Sequence, residues 1–145
     1  MRGMIEISIA RQELVYRGHR FRISTGAAGA GSEEGSGKTP VGLFEVCSRH
    51  GENAPLNTVF RGRIPVGTYP EAAQGEDAVL TRILALEGLE PHNANTRARY
   101  IYIHGTSDTE RIGTPVSHGC IRLAPQDMLT LFDMVPLLCK VMITR

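Results

Sequence analysis

Tryptophan is absent from the 145 residues, and tyrosine and phenylalanine number only four each. Aromatic residues amount to 6% of the chain, too few for a surface that reads bases or sugars by stacking. Charge of one sign is also lacking. Sixteen Lys and Arg stand against fifteen Asp and Glu, a formal net charge of +1. No global field therefore draws nucleic acid or an anionic membrane, and neither is an expected partner. Long apolar runs are missing as well. No window approaches the ~20 residues that span a bilayer. The opening Met1-Arg2-Gly3-Met4 runs into alternating residues without the apolar stretch of a secretory leader. The expected compartment is the cytoplasm, or the periplasm if a leader has been removed. Cysteine is scarce: Cys47, Cys120 and Cys139 are odd in number and have no paired spacing. That argues against a disulfide framework and against a zinc knuckle.

What remains is an ordinary globular composition, 41% hydrophobic and 21% charged, in a chain sized for one domain over residues 1–145. Period-two alternation marks Ile5, Ile7 and Ile9, then Leu14-Val15-Tyr16, then Phe21 and Ile23 beyond a turn at Gly18. Gly26 to Lys38 is rich in Gly, Ala, Ser and Glu and reads as a long loop. Val41 to Cys47, Asn57 to Phe60, Ala78 to Leu89, Tyr100 to Ile103 and Leu137 to Ile143 read as further strands. Pro65 to Asp77 holds turn residues and no clear period. One helix is clear, Pro125 to Val135. Proline suits its first turn, Asp127 complements the dipole, and Met128, Leu131, Phe132 and Val135 share a face before Pro136 stops it. The expected fold is mostly β, with one or few short helices.

Chemistry gathers in the last third. His104 closes an apolar strand, and Cys120 follows sixteen residues later in Ser117-His118-Gly119-Cys120. A lone thiol is more often a buried structural group than a nucleophile. Two histidines change that weighing, because a catalytic thiol needs a base or a positive neighbour. His118 would share a face with Cys120 on an extended segment, and His104 would be aimed by a strand end. Gly119 allows close approach to a substrate. Backbone N–H groups near Gly119 and Cys120 can form an oxyanion site. Arg122 is either a carboxylate-holding fork or a surface ion-pair residue. Cys47 and Cys139 read as core, and His19, His50 and His92 as solvated loop residues. His104, His118 and Cys120 are zinc-ligand types, but they lack the paired short loops or helical spacing of zinc sites, so no metal or cofactor is expected. Ser32 to Thr39 nearly matches a phosphate-binding loop, yet Ser32 replaces its first glycine and Pro40 follows where a helix must open.

Several stretches carry a family resemblance. His104-Gly105-Thr106, Ser117-His118-Gly119-Cys120-Ile121-Arg122-Leu123 and Lys38-Thr39-Pro40-Val41-Gly42-Leu43-Phe44 resemble the signature of the L,D-transpeptidase catalytic domain, the YkuD domain. The resemblance implies a sandwich-like or barrel-like β fold in which Cys120 attacks. It makes His104 the general base, oriented by the carbonyl of Gly105. It gives His118 a supporting place, Gly119 and Cys120 the oxyanion N–H groups, and Arg122, Ser117 and Thr106 the substrate contacts. The implied substrate is a peptidoglycan stem tetrapeptide, attacked at the L-centre of its third residue with D-alanine leaving. Covalent inhibition by carbapenems is implied too. Asn57 to Arg63, Leu80 to Leu84 and Arg99 to Thr106 resemble a compact leaderless subgroup. That points to an L,D-carboxypeptidase in peptidoglycan recycling. The alternatives are a transpeptidase that forms 3-3 cross-links or exchanges D-amino acids, and a non-catalytic peptidoglycan-binding module.

Overall fold

A computed structural model describes residues 3–73 and 78–145 of the chain. Ten strands of the described residues form one sheet: β1 Ile5–Ser8, β2 Glu13–Tyr16, β3 His19–Arg22, β4 Gly42–His50, β5 Thr58–Arg61, β6 Ile64–Thr68, β7 Val79–Gly88, β8 Tyr102–Gly105, β9 Ile121–Leu123 and β10 Lys140–Thr144. The main path runs β3-β2-β1-β10-β4-β7-β5-β6, with β8 on β7 and β9 on β8. The sheet curls into a half-barrel, so the expected mostly β, barrel-like fold is what forms. One α-helix, α1 Pro125–Met134, fills it. Among the described residues no helix is long and apolar enough to cross a membrane.

The alternation read in the sequence is the alternation of burial. Ile5, Ile7, Leu14, Tyr16, Phe21 and Ile23 point inward, with Phe44, Val46, Leu84, Leu86, Ile103, Ile121, Leu123, Val141 and Ile143 from the other strands. Met128, Leu131 and Phe132 of α1 seal this core. Each such aliphatic or aromatic side chain contributes about 1.5–3 kcal/mol by leaving water. The N–H of Val135 caps the helix on the carbonyl of Leu131 before Pro136.

Four expectations need correction. β6 was not expected, because all five of its residues are exposed and nothing imposes an apolar period on them; residues 74–77 of the same stretch lie outside the described residues. β8 begins two residues late, because Tyr100 takes a left-handed φ of 57° and ends a turn. Ile101 still enters the core. β10 starts at Lys140, since Leu137 and Leu138 are exposed and Leu138 turns the chain at φ 67°. β9 is short and was read only as an extended segment.

A bulge in β4 changes which way its end faces. The register with β7 shifts between Val46 and Ser48. Phe44 and Val46 face the core, whereas Ser48 and His50 pair with Ala85 and Ile83 on the outer face. Unbroken alternation would have put all four on one side. Arg49 takes the inner side and stacks 3.9 Å over the Phe132 ring. Phe132→Ala removes that platform and opens a cavity under α1. It is expected to cost about 3–5 kcal/mol, read as a lower urea midpoint at unchanged m-value.

Candidate active site

Three strands meet at the outer face of the sheet. β8 and β9 run parallel with Ile103 opposite Ile121 and His104 opposite Arg122. The isoleucines point into the core, so His104 and Arg122 belong to the other face. Two residues back on each strand, Tyr102 and Cys120 occupy that same face. On the other side of β8, Ala85 and Ile83 of β7 stand opposite Tyr102 and His104.

The thiol is held by backbone. The Cys120 Sγ accepts the N–H of Tyr102 at 3.3 Å and donates to the carbonyl of Tyr100 at 3.4 Å. The first bond favours negative charge on sulfur, and the second holds the resting proton. Cys120 itself is half-buried, open enough to meet a substrate. His104 is 1% exposed, with Nδ1 2.7 Å from the carbonyl of Gly105. A carbonyl only accepts, so Nδ1 carries the hydrogen and Nε2 keeps its lone pair. This is the orientation a general base requires, and it uses the glycine carbonyl expected for it.

The loop before Cys120 is braced from far away in the chain. The Thr39 hydroxyl donates to the carbonyl of Gly119 at 2.9 Å and accepts the N–H of Gly26 at 2.8 Å. Gly119 has φ 124°, and a Cβ there would stand 3.1 Å from the carbonyl of Lys38. The peptide between Gly119 and Cys120 is planar and trans, so fixing its carbonyl on Thr39 aims the Cys120 N–H the opposite way. The Gly119 N–H donates to the Ser117 hydroxyl at 3.2 Å, and that hydroxyl donates to the carbonyl of Cys120 at 2.7 Å. Of the two expected oxyanion donors, the Gly119 N–H is thus engaged inside the turn. In the sequence Thr39 stood out only as part of the Lys38-to-Phe44 motif and of the near match to a phosphate loop; no local pattern reveals a bond that spans 80 residues.

The three expected substrate contacts are all buried. Ser117, Thr106 and Arg122 are 2%, 0% and 1% exposed. Ser117 closes the turn just described, and Thr106 accepts the N–H of Asp108 at 3.1 Å. Arg122 pairs with Asp108 Oδ2 at 3.2 Å, and Arg111 reaches the same oxygen at 2.6 Å. Hydrogen bonding by Arg111 holds the Asp108 carboxyl below its usual range; burial opposes it, and the Arg122 hydrogen bond and the charges of both arginines add to the lowering. These residues frame the site rather than line it. His118 is exposed.

Other residues fall differently from expectation. His50 is not a loop residue; it ends β4, half-buried, with Nε2 2.9 Å from the Ser48 hydroxyl. Burial, then the positive charge of Arg63, hold its imidazole below the usual value. His19 lies on β3, and His92 is on a short 3-10 turn with Nε2 3.0 Å from the carbonyl of Val41. Cys139 is buried in the main core. Cys47 sits at the β4 bulge against an outer cluster of Phe60, Ile83, Ala85 and Tyr102. Burial pushes the Tyr102 phenol up, Arg63 opposes it, and Cys120, Tyr100 and Cys47 add to the rise. The near match to a phosphate loop opens no helix, and its Lys38 pairs with Glu33 at 3.2 Å. Among the described residues no three His, Cys, Asp or Glu side chains converge as they would on a metal ion.

The sequence model of the L,D-transpeptidase catalytic domain, YkuD, matches residues 2–143. The chain belongs to this family. No curated protein sequence matches it. Among solved structures it is similar to an L,D-transpeptidase of Xylanimonas cellulosilytica DSM 15894, at 21% identity and TM-score 0.62 over 99% of this chain and 60% of that one. It is similar to L,D-transpeptidase 3 of Mycobacterium tuberculosis in complex with a faropenem-derived adduct, at 16% identity and TM-score 0.60, covering 99% and 60%. It is also similar to the L,D-transpeptidase LdtMt1 in complex with imipenem, at 21% identity and TM-score 0.59, covering 98% and 58%. These likenesses are of fold, and the YkuD chain spans about three fifths of each.

Two outcomes follow from the framing residues. Thr39→Val keeps the shape but orphans two buried backbone groups, the Gly26 N–H and the Gly119 carbonyl. It is expected to cost about 1–3 kcal/mol in urea unfolding. Asp108→Asn leaves the Arg122 guanidinium buried beside a neutral amide. Because the folded carboxyl is shifted down, its stabilisation is complete above the ordinary value of 3.8 and is lost as pH falls through the lower folded value. The gap in melting temperature between Asp108→Asn and wild type is therefore expected at pH 7 and should close in acid below 3.8.

Proposed function

We propose that this chain is a cysteine acyl-transfer enzyme that acts as an L,D-carboxypeptidase on peptidoglycan tetrapeptides. The observation that carries the reading is the pairing of a backbone-held thiol with a histidine on the same sheet face, its Nδ1–H spent on the Gly105 carbonyl. Nε2 of His104 takes the thiol proton, and the sulfur attacks the carbonyl of the third residue. The tetrahedral oxyanion collapses, the nitrogen of D-alanine leaves with the proton from His104, and a thioester on Cys120 remains. Water, deprotonated by the same histidine, then releases the tripeptide and restores the thiol.

Family membership supports the acyl transfer. Hydrolysis and a cytoplasmic place in recycling rest on the resemblance of Asn57 to Arg63, Leu80 to Leu84 and Arg99 to Thr106 to compact single-domain members. Transpeptidation is the second reading, favoured because the similar solved structures are of L,D-transpeptidases. There the amine of a second stem replaces water. Those same neighbours, with imipenem and a faropenem-derived adduct, support covalent capture of Cys120 by β-lactams.

Mass spectrometry on a disaccharide-tetrapeptide, with and without an amine acceptor, decides between these readings. Loss of one alanine without dimer formation is expected. Cys120→Ala should abolish it, and His104→Ala should slow it by roughly 10²–10⁴-fold. Full activity in Cys120→Ala would falsify the nucleophile assignment, and acceptor-dependent dimer as the main product would replace hydrolysis by cross-linking.

A further inference from the structure

Thr81 has a backbone conformation poorly suited to its side chain. It is β-branched, yet it takes φ 76° inside β7. Such a residue adopts a left-handed φ only where its surroundings impose it, and strain of this kind gathers at functional sites. The register shows where it arises. Leu80 stands opposite Gly105 and Ile83 opposite His104, so Thr81 and Arg82 have no opposite residues on β8 and form a bulge. Arg82 holds the bulge in place. Its Nη1 donates to the Thr81 carbonyl at 2.6 Å, and its guanidinium, on a residue only 5% exposed, lies 5.6 Å over the Phe132 ring.

Glycine would adopt this backbone without strain, so the Thr81 side chain needs a reason of its own. It is fully buried, and its hydroxyl has no hydrogen-bond partner among the described residues. What it packs against is Gly105. A Cβ on Gly105 would stand 2.7 Å from Thr81 Oγ1 and 3.0 Å from Thr81 Cβ. Thr81 therefore fills the space that a side chain on Gly105 would take. Gly105 has no left-handed φ, so contact rather than conformation excludes a side chain there. The next peptide N–H, that of Thr106, donates to the Leu123 carbonyl of β9 at 2.9 Å. That peptide is planar and trans, so the Gly105 carbonyl points the other way, to the β7 side where Thr81 stands. It is the carbonyl that His104 Nδ1 uses.

We propose that Thr81 is a positioning residue for the base His104. Wedged against Gly105, it stops the Gly105–Thr106 peptide from rotating, so the carbonyl stays on Nδ1–H and the lone pair stays on Nε2. A glycine beside empty space is free to turn its carbonyl. Nδ1 then loses its acceptor, and the ring carries its hydrogen on either nitrogen. Thr81 acts through Gly105 and by its shape, so its hydroxyl is dispensable. The strain and the unpartnered hydroxyl are what the fold gives up for a single tautomer. The inference rests on His104 acting as the base in the reaction proposed above.

The test compares two substitutions in the full chain. Thr81→Gly suits the φ of 76° but empties the space, and Thr81→Val refills it. Nitrogen–proton NMR spectra of the histidine rings are recorded above the imidazole titration range in a Cys120→Ala background, where no thiolate draws a second proton to His104. The His104 signals are those missing from His104→Gln. A single tautomer with the hydrogen on Nδ1 is expected for Thr81 and for Thr81→Val, and a mixture of both tautomers for Thr81→Gly. With Cys120 in place, Thr81→Gly is expected to lower kcat on the tetrapeptide about tenfold at unchanged KM, and Thr81→Val to restore most of it. If circular dichroism shows Thr81→Gly unfolded, Thr81→Ala empties the same space and carries the same comparison. A single Nδ1–H tautomer in the emptied variant, or as much mixing in Thr81→Val, overturns the proposal. If the tautomers mix as expected while wild type cleaves no tetrapeptide, Thr81 keeps its hold on His104 and the carboxypeptidase reading fails.

Discussion

β8 and β9 lie side by side because a short parallel pairing holds them, three residues against three, and everything chemical about the protein depends on its register. Parallel strands need a crossover, and here the crossover is the segment from Thr106 to Cys120. It leaves β8 just after His104 and returns at Cys120. The pairing therefore brings the two ends of its own connection together, His104 at one end and Cys120 at the other. Slip the register by one residue and His104 would face the core while an isoleucine took its place on the outer face.

The supports around this pair are buried polar contacts that trade solvation for aim. Arg122 lies beneath the site with its charge met by Asp108, and Thr39 grips the loop from the other side. Neither touches the reacting atoms. Both make the site rigid where a flexible loop would otherwise carry the thiol, the preorganisation that acyl transfer rewards. The hairpin β5–β6 does the opposite. Its second strand is wholly exposed, so the hairpin is held by far less buried surface than the pair β8–β9.

Legibility in the sequence followed the range of the interactions. Cys120, His104 and the Gly105 carbonyl were readable because they sit in two short contiguous motifs, and α1 was readable because its face and its stop signals are local. The inner strands were readable because a single core imposed period two on Ile5, Ile7, Leu14 and Tyr16. What escaped was set by partners distant in sequence. Nothing near Arg122 announces that Asp108 will neutralise it in the interior, so a surface or substrate role looked equally open. β6 escaped because its five residues are exposed and answer to no packing pattern.

The bulge at Cys47 has a consequence for how β4 tolerates change in length. One extra residue makes the strand serve two surfaces, its first half walling the core and its second half lying on the outer face beside Ala85 and Ile83. The two halves are out of phase, and the bulge is the phase shifter between them. Losing a single residue there would swap the roles of the far half. Arg49 would move to the outer face, and Ser48 and His50 would be pressed against the helix. Drift in this segment is thus confined to even steps, and the parity of one strand is part of what defines the outer face beside β7.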